Sequence, residues 1–202
     1  SEEGVEVISY SLSARTSRTL ATTPFTDIKL LATGDRVYFY NTPSPHYQGM
    51  LFDVQEGSFT PRTGAHYELA GMANGTSTVV TRYDFDQDSI VSARGTSTLA
   101  AVAVPQKCAF ARANGRYLWC GAEVGTYERE ELQLWRQGLE TSRDLLLKID
   151  TRTGAADVVA DLVRSTGRIV DVIKVHTHPS NEDFVLFINK IDNTLWIHRE
   201  DE

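Results

Sequence analysis

The strongest constraint on what this chain can fold into is an internal repeat. Four segments share one form: a short β-type run, a turn of small or polar residues, and a second run rich in aromatic and branched residues. They are Asp27 to Tyr40, Tyr67 to Tyr83 around Asn74-Gly75, Cys108 to Cys120 around Asn114-Gly115, and Val172 to Asn189 around Pro179-Ser180-Asn181. The first three recur every ~40 residues, the length of a four-strand unit. The last interval is longer because of one insertion, Gly125 to Arg143, at about residues 125–143.

Each pair is followed by further strand-like runs. Leu145 to Asp150 leads through the polar turn Thr151-Arg152-Thr153-Gly154 into Ala156 to Ala160. Near the start, Val5 to Tyr10 and Arg18 to Ala21 flank a turn at Ala14-Arg15, whereas the end supplies three strands, the last being Thr194 to His198. The pattern predicts an all-β chain, one β-propeller domain or propeller segment over residues 1–202, made of about four four-stranded antiparallel blades. In a closed ring, the N-terminal strand would complete the last blade and remove an exposed edge; the same ragged start and stop also fit part of a larger ring. The competing architecture is a β-sandwich, which shows short strands at regular spacing but does not require a recurring four-strand unit.

Charge narrows the function classes. The formal net charge is −7, and Lys and Arg are scattered, so no basic patch points to nucleic acid. No apolar run approaches the ~20 residues of a membrane-spanning helix.

The two cysteines, Cys108 and Cys120, form neither a CxxC pair nor a zinc-type cluster. A three-residue hairpin loop, Ala113-Asn114-Gly115, with Gly115 left-handed, pairs Arg112 with Arg116 and sets Cys108 opposite Cys120. A disulfide is then within reach; the alternative is two buried thiols. Counted down the ladder from Arg112 and Arg116, the cysteines fall at a hydrogen-bonded pair, where the Cα separation is the wider one.

Candidate chemistry is sparse. Asp84, Asp86 and Asp88 alternate in the manner of a calcium loop, but Ser89 stands where such loops carry glycine and no closing acid follows. A solvated hairpin turn accounts for the same residues. His176 and His178 alternate on one strand and can present two imidazoles to a metal, without a visible third ligand. The sequence holds no GxSxG, HExxH, P-loop or GxGxxG pattern. The insertion is its most individual part: Glu128 to Gln137 contains good helix formers with Leu132, Trp135 and Leu139 near helical spacing. Trp135 is expected to pack, and the polar side, with Tyr127, Glu131 and Arg136, is expected to be open to a partner. Tyr38, Tyr40, Trp119 and Trp196 sit in strands as core candidates.

Cys108-Ala-Phe-Ala-Arg-Ala-Asn-Gly-Arg-Tyr-Leu-Trp-Cys120, Leu134-Trp-Arg-Gln-Gly138, Leu147 to Gly154 and Phe184 to Trp196 together resemble a pattern in uncharacterised propeller proteins of uncultivated small-genome bacteria. The resemblance covers about the last 95 residues, and the rest matches only as generic blades. It implies a propeller segment of a surface or envelope protein and carries over no catalytic residue. The expected function is therefore a non-enzymatic binding or scaffold propeller, a protein-interaction module outside the cytoplasm or at the cell surface, with no cofactor. The alternatives are a hydrolase-type propeller enzyme with its site at the central channel, a calcium-stabilised ligand-binding propeller, and a cytoplasmic location.

Overall fold

The structure, a computed structural model, describes residues 4–34, 36–55, 57–74, 79–83, 87–92, 95–100, 103–111, 115–123, 129–178, 181 and 183–200. Its strands form a series of antiparallel sheets that follow the repeat. β1 (Val5–Ser11) and β2 (Thr16–Thr23) make a two-stranded sheet. The first four-stranded blade contains β3 (Ile28–Ala32), β4 (Val37–Asn41), β6 (Phe52–Gln55) and β7 (Ser58–Pro61). A small pair, β5 (Gln48–Gly49) with β8 (His66–Tyr67), flanks it. The second blade is β9 (Ala70–Ala73), β10 (Val79–Tyr83), β11 (Gln87–Ser92) and β12 (Gly95–Thr98). The third is β13 (Cys108–Phe110), β14 (Tyr117–Glu123), β15 (Asp144–Asp150) and β16 (Ala156–Asp161). The last sheet has three strands, β17 (Val172–Thr177), β18 (Phe184–Asn189) and β19 (Leu195–Arg199).

The inner pair of each blade is the pair that the repeat delimits: β3–β4, β9–β10, β13–β14 and β17–β18. Within a blade each strand pairs with its successor, leaving both faces to be covered by neighbouring sheets. That is why buried residues run consecutively along inner strands such as Tyr38, Phe39 and Tyr40. One apolar layer fills each gap between successive sheets. Ala21, Phe39 and Val54 lie between the first sheet and the first blade; Tyr38, Tyr40, Leu51, Leu69 and Ala70 follow in the next gap. Leu99, Leu118, Leu147 and Ile149 surround the cysteines between blades two and three, and Trp119, Leu146, Val172, Val185 and Phe187 fill the last gap. A sandwich has one interior between two sheets, whereas this serial stacking of many small sheets is a β-propeller.

Two glycines permit the closest approaches. A Cβ on Gly121 in β14 would stand 2.3 Å from Val172 Cβ in β17, so its absence lets blade three meet the last sheet. Gly115 has φ +61, the left-handed conformation expected of the hairpin, and a Cβ there would meet Asn74 of blade two.

Cys108 and Cys120 are opposite each other as expected and joined in a disulfide. One detail differs. Ala111 N donates to Tyr117 O at 2.8 Å, which makes that pair the wide, hydrogen-bonded one. Alternation then places the cysteines at a narrow pair, with Cα atoms 4.1 Å apart.

The expected completion of the last blade by the N-terminal strand does not form: β1 pairs with β2, and β19 pairs with β18. The strand count explains the mismatch, because one strand would make a fourth beside β19 while the N-terminal segment folds as a hairpin of two.

Candidate functional site: the notch beside the insertion helix

The insertion forms α1 (Arg129–Gln137), within the stretch of helix formers that the sequence shows. Its end is closed by a Schellman arrangement: Gly138, at φ +80, donates to Trp135 O at 3.1 Å, and Leu139 N donates to Leu134 O at 2.9 Å. Lys190, from the turn after β18, donates through Nζ to Trp135 O at 2.6 Å and Glu140 O at 3.0 Å, placing a cation at the helix's negative end.

Leu132 and Trp135 are buried with Val104 and next to Ile173, so the helix packs over more than its own blade. Trp135 Nε1 donates to both carboxylate oxygens of Asp171, at 2.9 Å each, reaching the residue that precedes β17. Arg136 forms an ion pair with Glu68, which precedes β9 in blade two. The helix therefore springs from blade three and is tied to blade two and the last sheet.

Beneath it lies a fully buried ion-pair box. Lys107, in the 3-10 turn Pro105–Lys107 ahead of β13, is 0% exposed. Its Nζ donates to Asp144 Oδ1 and Oδ2 at 2.9 and 2.7 Å, lies 3.1 Å from Asp171 Oδ1, and also donates to Ser142 Oγ. Ser142 Oγ donates to Asp171 Oδ1 at 2.8 Å. Val172 N donates to Asp144 Oδ2 at 2.6 Å, and Asp171 N donates to Asn189 Oδ1 at 3.1 Å. Lys190 Nζ stands 3.8 Å from Asp171 Oδ2, so two ammonium groups face two carboxylates. Burial pushes the Asp144 carboxyl up against the opposing pull of Lys107 and of the Val172 N–H. Burial also pushes the Lys190 amine down, against the pull of Asp171.

Above the box opens a notch lined by Glu123, Glu131, Trp135, Glu140, Thr141 and Ser142. Its enclosed space is only about 50 Å³, far below the ~300 Å³ at which ligand pockets begin. Three of its six lining residues are carboxylates. Burial raises the carboxyl of Glu123, at the end of β14; Lys107 pulls it down, while Asp144, Glu131 and Asp171 add to the rise. The notch therefore favours a positive charge.

The box also limits the chemistry. Ser142 is only 2% exposed, and its hydroxyl is engaged by Lys107 and by the Asp171 carboxylate. The arrangement is that of a charge-neutral lock, in which each polar group has its partner.

Of the contact residues expected on the insertion, Glu131 borders the notch, Arg136 is turned to Glu68, and Tyr127 lies outside the described residues. Asp84 and Asp86 of the calcium candidate also lie outside them; Asp88 is placed in β11 opposite Arg82. His176 and His178 are both exposed, and His178 Nδ1 accepts from Asn181 N at 3.1 Å. Among the described residues no group of three or more His, Cys, Asp or Glu is arranged to hold a metal. Tyr38, Tyr40 and Trp119 are buried in the core, and Trp196 is half-buried. Lys107, Asp144, Asp171, Ser142, Glu123, Glu140 and Lys190 did not emerge from sequence patterns. The one local signal was an aspartate directly before each of two apolar runs, Leu145 to Leu147 and Val172 to Ile173.

No protein-family model and no curated protein matches the sequence. Solved structures do. The chain is similar to oligogalacturonate lyase from Vibrio parahaemolyticus, with a TM-score of 0.54 and 12% identity over 95% of this chain and 53% of that one. It is also similar to TolB from Acinetobacter baumannii, with a TM-score of 0.50 and 8% identity over 98% of this chain and 49% of that one. The chain thus spans about half the length of these propellers, and what it shares with them is the fold.

Proposed function

We propose that the chain is a binding module of an extracytoplasmic or cell-surface protein, and that the face carrying α1 receives a Lys or Arg side chain of a protein partner. The observation that carries this reading is the notch: three carboxylates gathered around one small opening, on a frame locked by the buried box. Rigid scaffolds carrying an individual loop are a common source of recognition surfaces. The disulfide supports an oxidising compartment.

Titration calorimetry with a lysine- and arginine-rich peptide at low and moderate salt tests the reading. Saturable binding that weakens with salt and is lost in a Glu131→Gln/Glu140→Gln variant supports it; binding that ignores both changes, or none at low salt, overturns it. Thiol titration of native material tests the compartment. Two reactive thiols before reduction would remove that support.

A further inference from the structure

The face that carries α1 holds more than the notch. Leu139, Ile169 and Ile191, three large apolar side chains, stand exposed around its rim at 68%, 56% and 47%. Each comes from a different segment. Leu139 follows the helix and directly precedes Glu140 and Thr141 of the notch wall. In a Schellman closure the residue after the left-handed glycine commonly packs back on the helix; Leu139 stands open instead. Ile169 lies in the connection between α2 (Leu162–Thr166) and β17, and Ile191 in the turn after β18. Single exposed apolar residues need no explanation, but three brought to one rim from separate segments do.

Hydrogen bonds hold these segments together. Lys190 N donates to Asp171 O at 2.8 Å, which carries the β17–β18 ladder one step beyond the Val172–Asn189 pair and sets Ile191 beside Ile169 and Val170. Asn189 is buried, and its Oδ1 accepts from Asp171 N at 3.1 Å and from Ile191 N at 3.3 Å, which pins the turn from below. The stem of Lys190 then runs from Ile191 to the end of the helix, where Nζ donates to Glu140 O, next to Leu139. Lys190 faces Asp171. The Thr194 hydroxyl and N–H hold the Asp192 carboxyl below its ordinary value, and Arg168, the neighbour of Ile169, adds to that pull. The rim is thus apolar, and the notch beside it is negative.

An opening of about 50 Å³ is too small for a ligand to enter whole, so most of any partner lies across the rim. Exposed ion pairs add little, each at most about fivefold in affinity, and Glu131 and Glu140 are exposed. Apolar contacts around such a pair add burial of their own and keep water from it. We propose that this face docks a peptide segment in which a lysine or arginine is flanked by large aliphatic residues, with the basic tip at the notch and the aliphatic neighbours on Leu139, Ile169 and Ile191. The charge of such a segment complements the three carboxylates of the notch and the chain's net charge of −7. The inference rests on the cationic reading of the notch and adds the apolar half of the partner.

Calorimetry with two end-blocked peptides that differ only beside a single lysine, Leu-Lys-Leu in one and Ser-Lys-Ser in the other, tests the proposal. The leucine peptide should bind about tenfold more tightly, and that ratio should hold while added salt lowers both affinities. In a Leu139→Ser/Ile169→Ser variant the ratio should fall towards one, with an unchanged melting temperature because both side chains are exposed. Equal binding of the two peptides to the wild type overturns the proposal and leaves the cationic reading standing, as does a ratio that survives in the variant. Binding of neither peptide overturns both.

Discussion

Trp135 donates its indole N–H to both carboxylate oxygens of Asp171, 36 residues further along the chain, at 2.9 Å each. The insertion helix is therefore tied directly to the residue that precedes the last sheet. The notch walls contributed by Glu131 and Trp135 keep their positions through this bond.

Trp135→Phe retains most of the ring and removes the N–H. Asp171 would keep its contacts to Lys107 and Ser142 but lose a buried donor, at a cost of about 1–3 kcal/mol. Urea denaturation should show a lower midpoint with an unchanged slope. An unchanged midpoint would mean that the bond does not fasten the helix.

Lys107→Met leaves two buried carboxylates facing each other without their central cation. Removing one partner of a buried ion pair costs ~3–5 kcal/mol. Adding Asp144→Asn and Asp171→Asn to the same chain should recover much of that loss. If the triple variant is no more stable than Lys107→Met, charge is not what the lysine supplies.

Glu123 gives the notch a signature in pH. Its carboxyl lies above the ordinary 4.5, chiefly because of burial. The folded chain then binds this proton more tightly than the unfolded chain does. The stability gained is complete below 4.5 and is lost as pH rises through the folded value. Glu123→Gln should therefore melt above wild type at neutral pH, and the difference should shrink to nothing below pH 4.5. Thermal melts across that range check the sign, and a variant less stable than wild type at neutral pH would reverse it. The same substitution should weaken cationic peptide binding.

Gly121→Ala places a Cβ 2.3 Å from Val172 Cβ, a separation that requires the two sheets to part. Overpacking of this kind costs about 1–3 kcal/mol. Val172→Ala in the same chain should relieve part of it. A double-mutant cycle measures the coupling, and strict additivity would place the two residues out of contact.

The blades were legible because their signals are local. Asp27 to Tyr40 and Cys108 to Cys120 each carry turn chemistry between two β-type runs, and the hairpin ending at Gly115 fixed the cysteine register without any knowledge of the rest of the chain. The width of that pair was misjudged because it depends on which pair carries the ladder bonds, a phase set by Ala111 N donating to Tyr117 O. The helix was legible in its formers and spacing, and so was the packing of Trp135, but its partners were not. Lys107, Asp144 and Asp171 meet across 27 and 37 residues of separation, and no short motif encodes a lysine that waits for two aspartates. Their convergence is a product of blade stacking, which repeat periodicity implies in general and assigns to no particular residue.

The helix that begins in blade three and is tied to blade two and the last sheet also dictates an order of assembly. Glu68 precedes it in the chain, whereas Asp171 and Lys190 follow it. Contacts of such long sequence separation form late, after the local hairpins. During synthesis the helix can be tied to Glu68 of blade two as soon as it forms, but its bonds to Asp171 and Lys190 wait until the last sheet has emerged and docked.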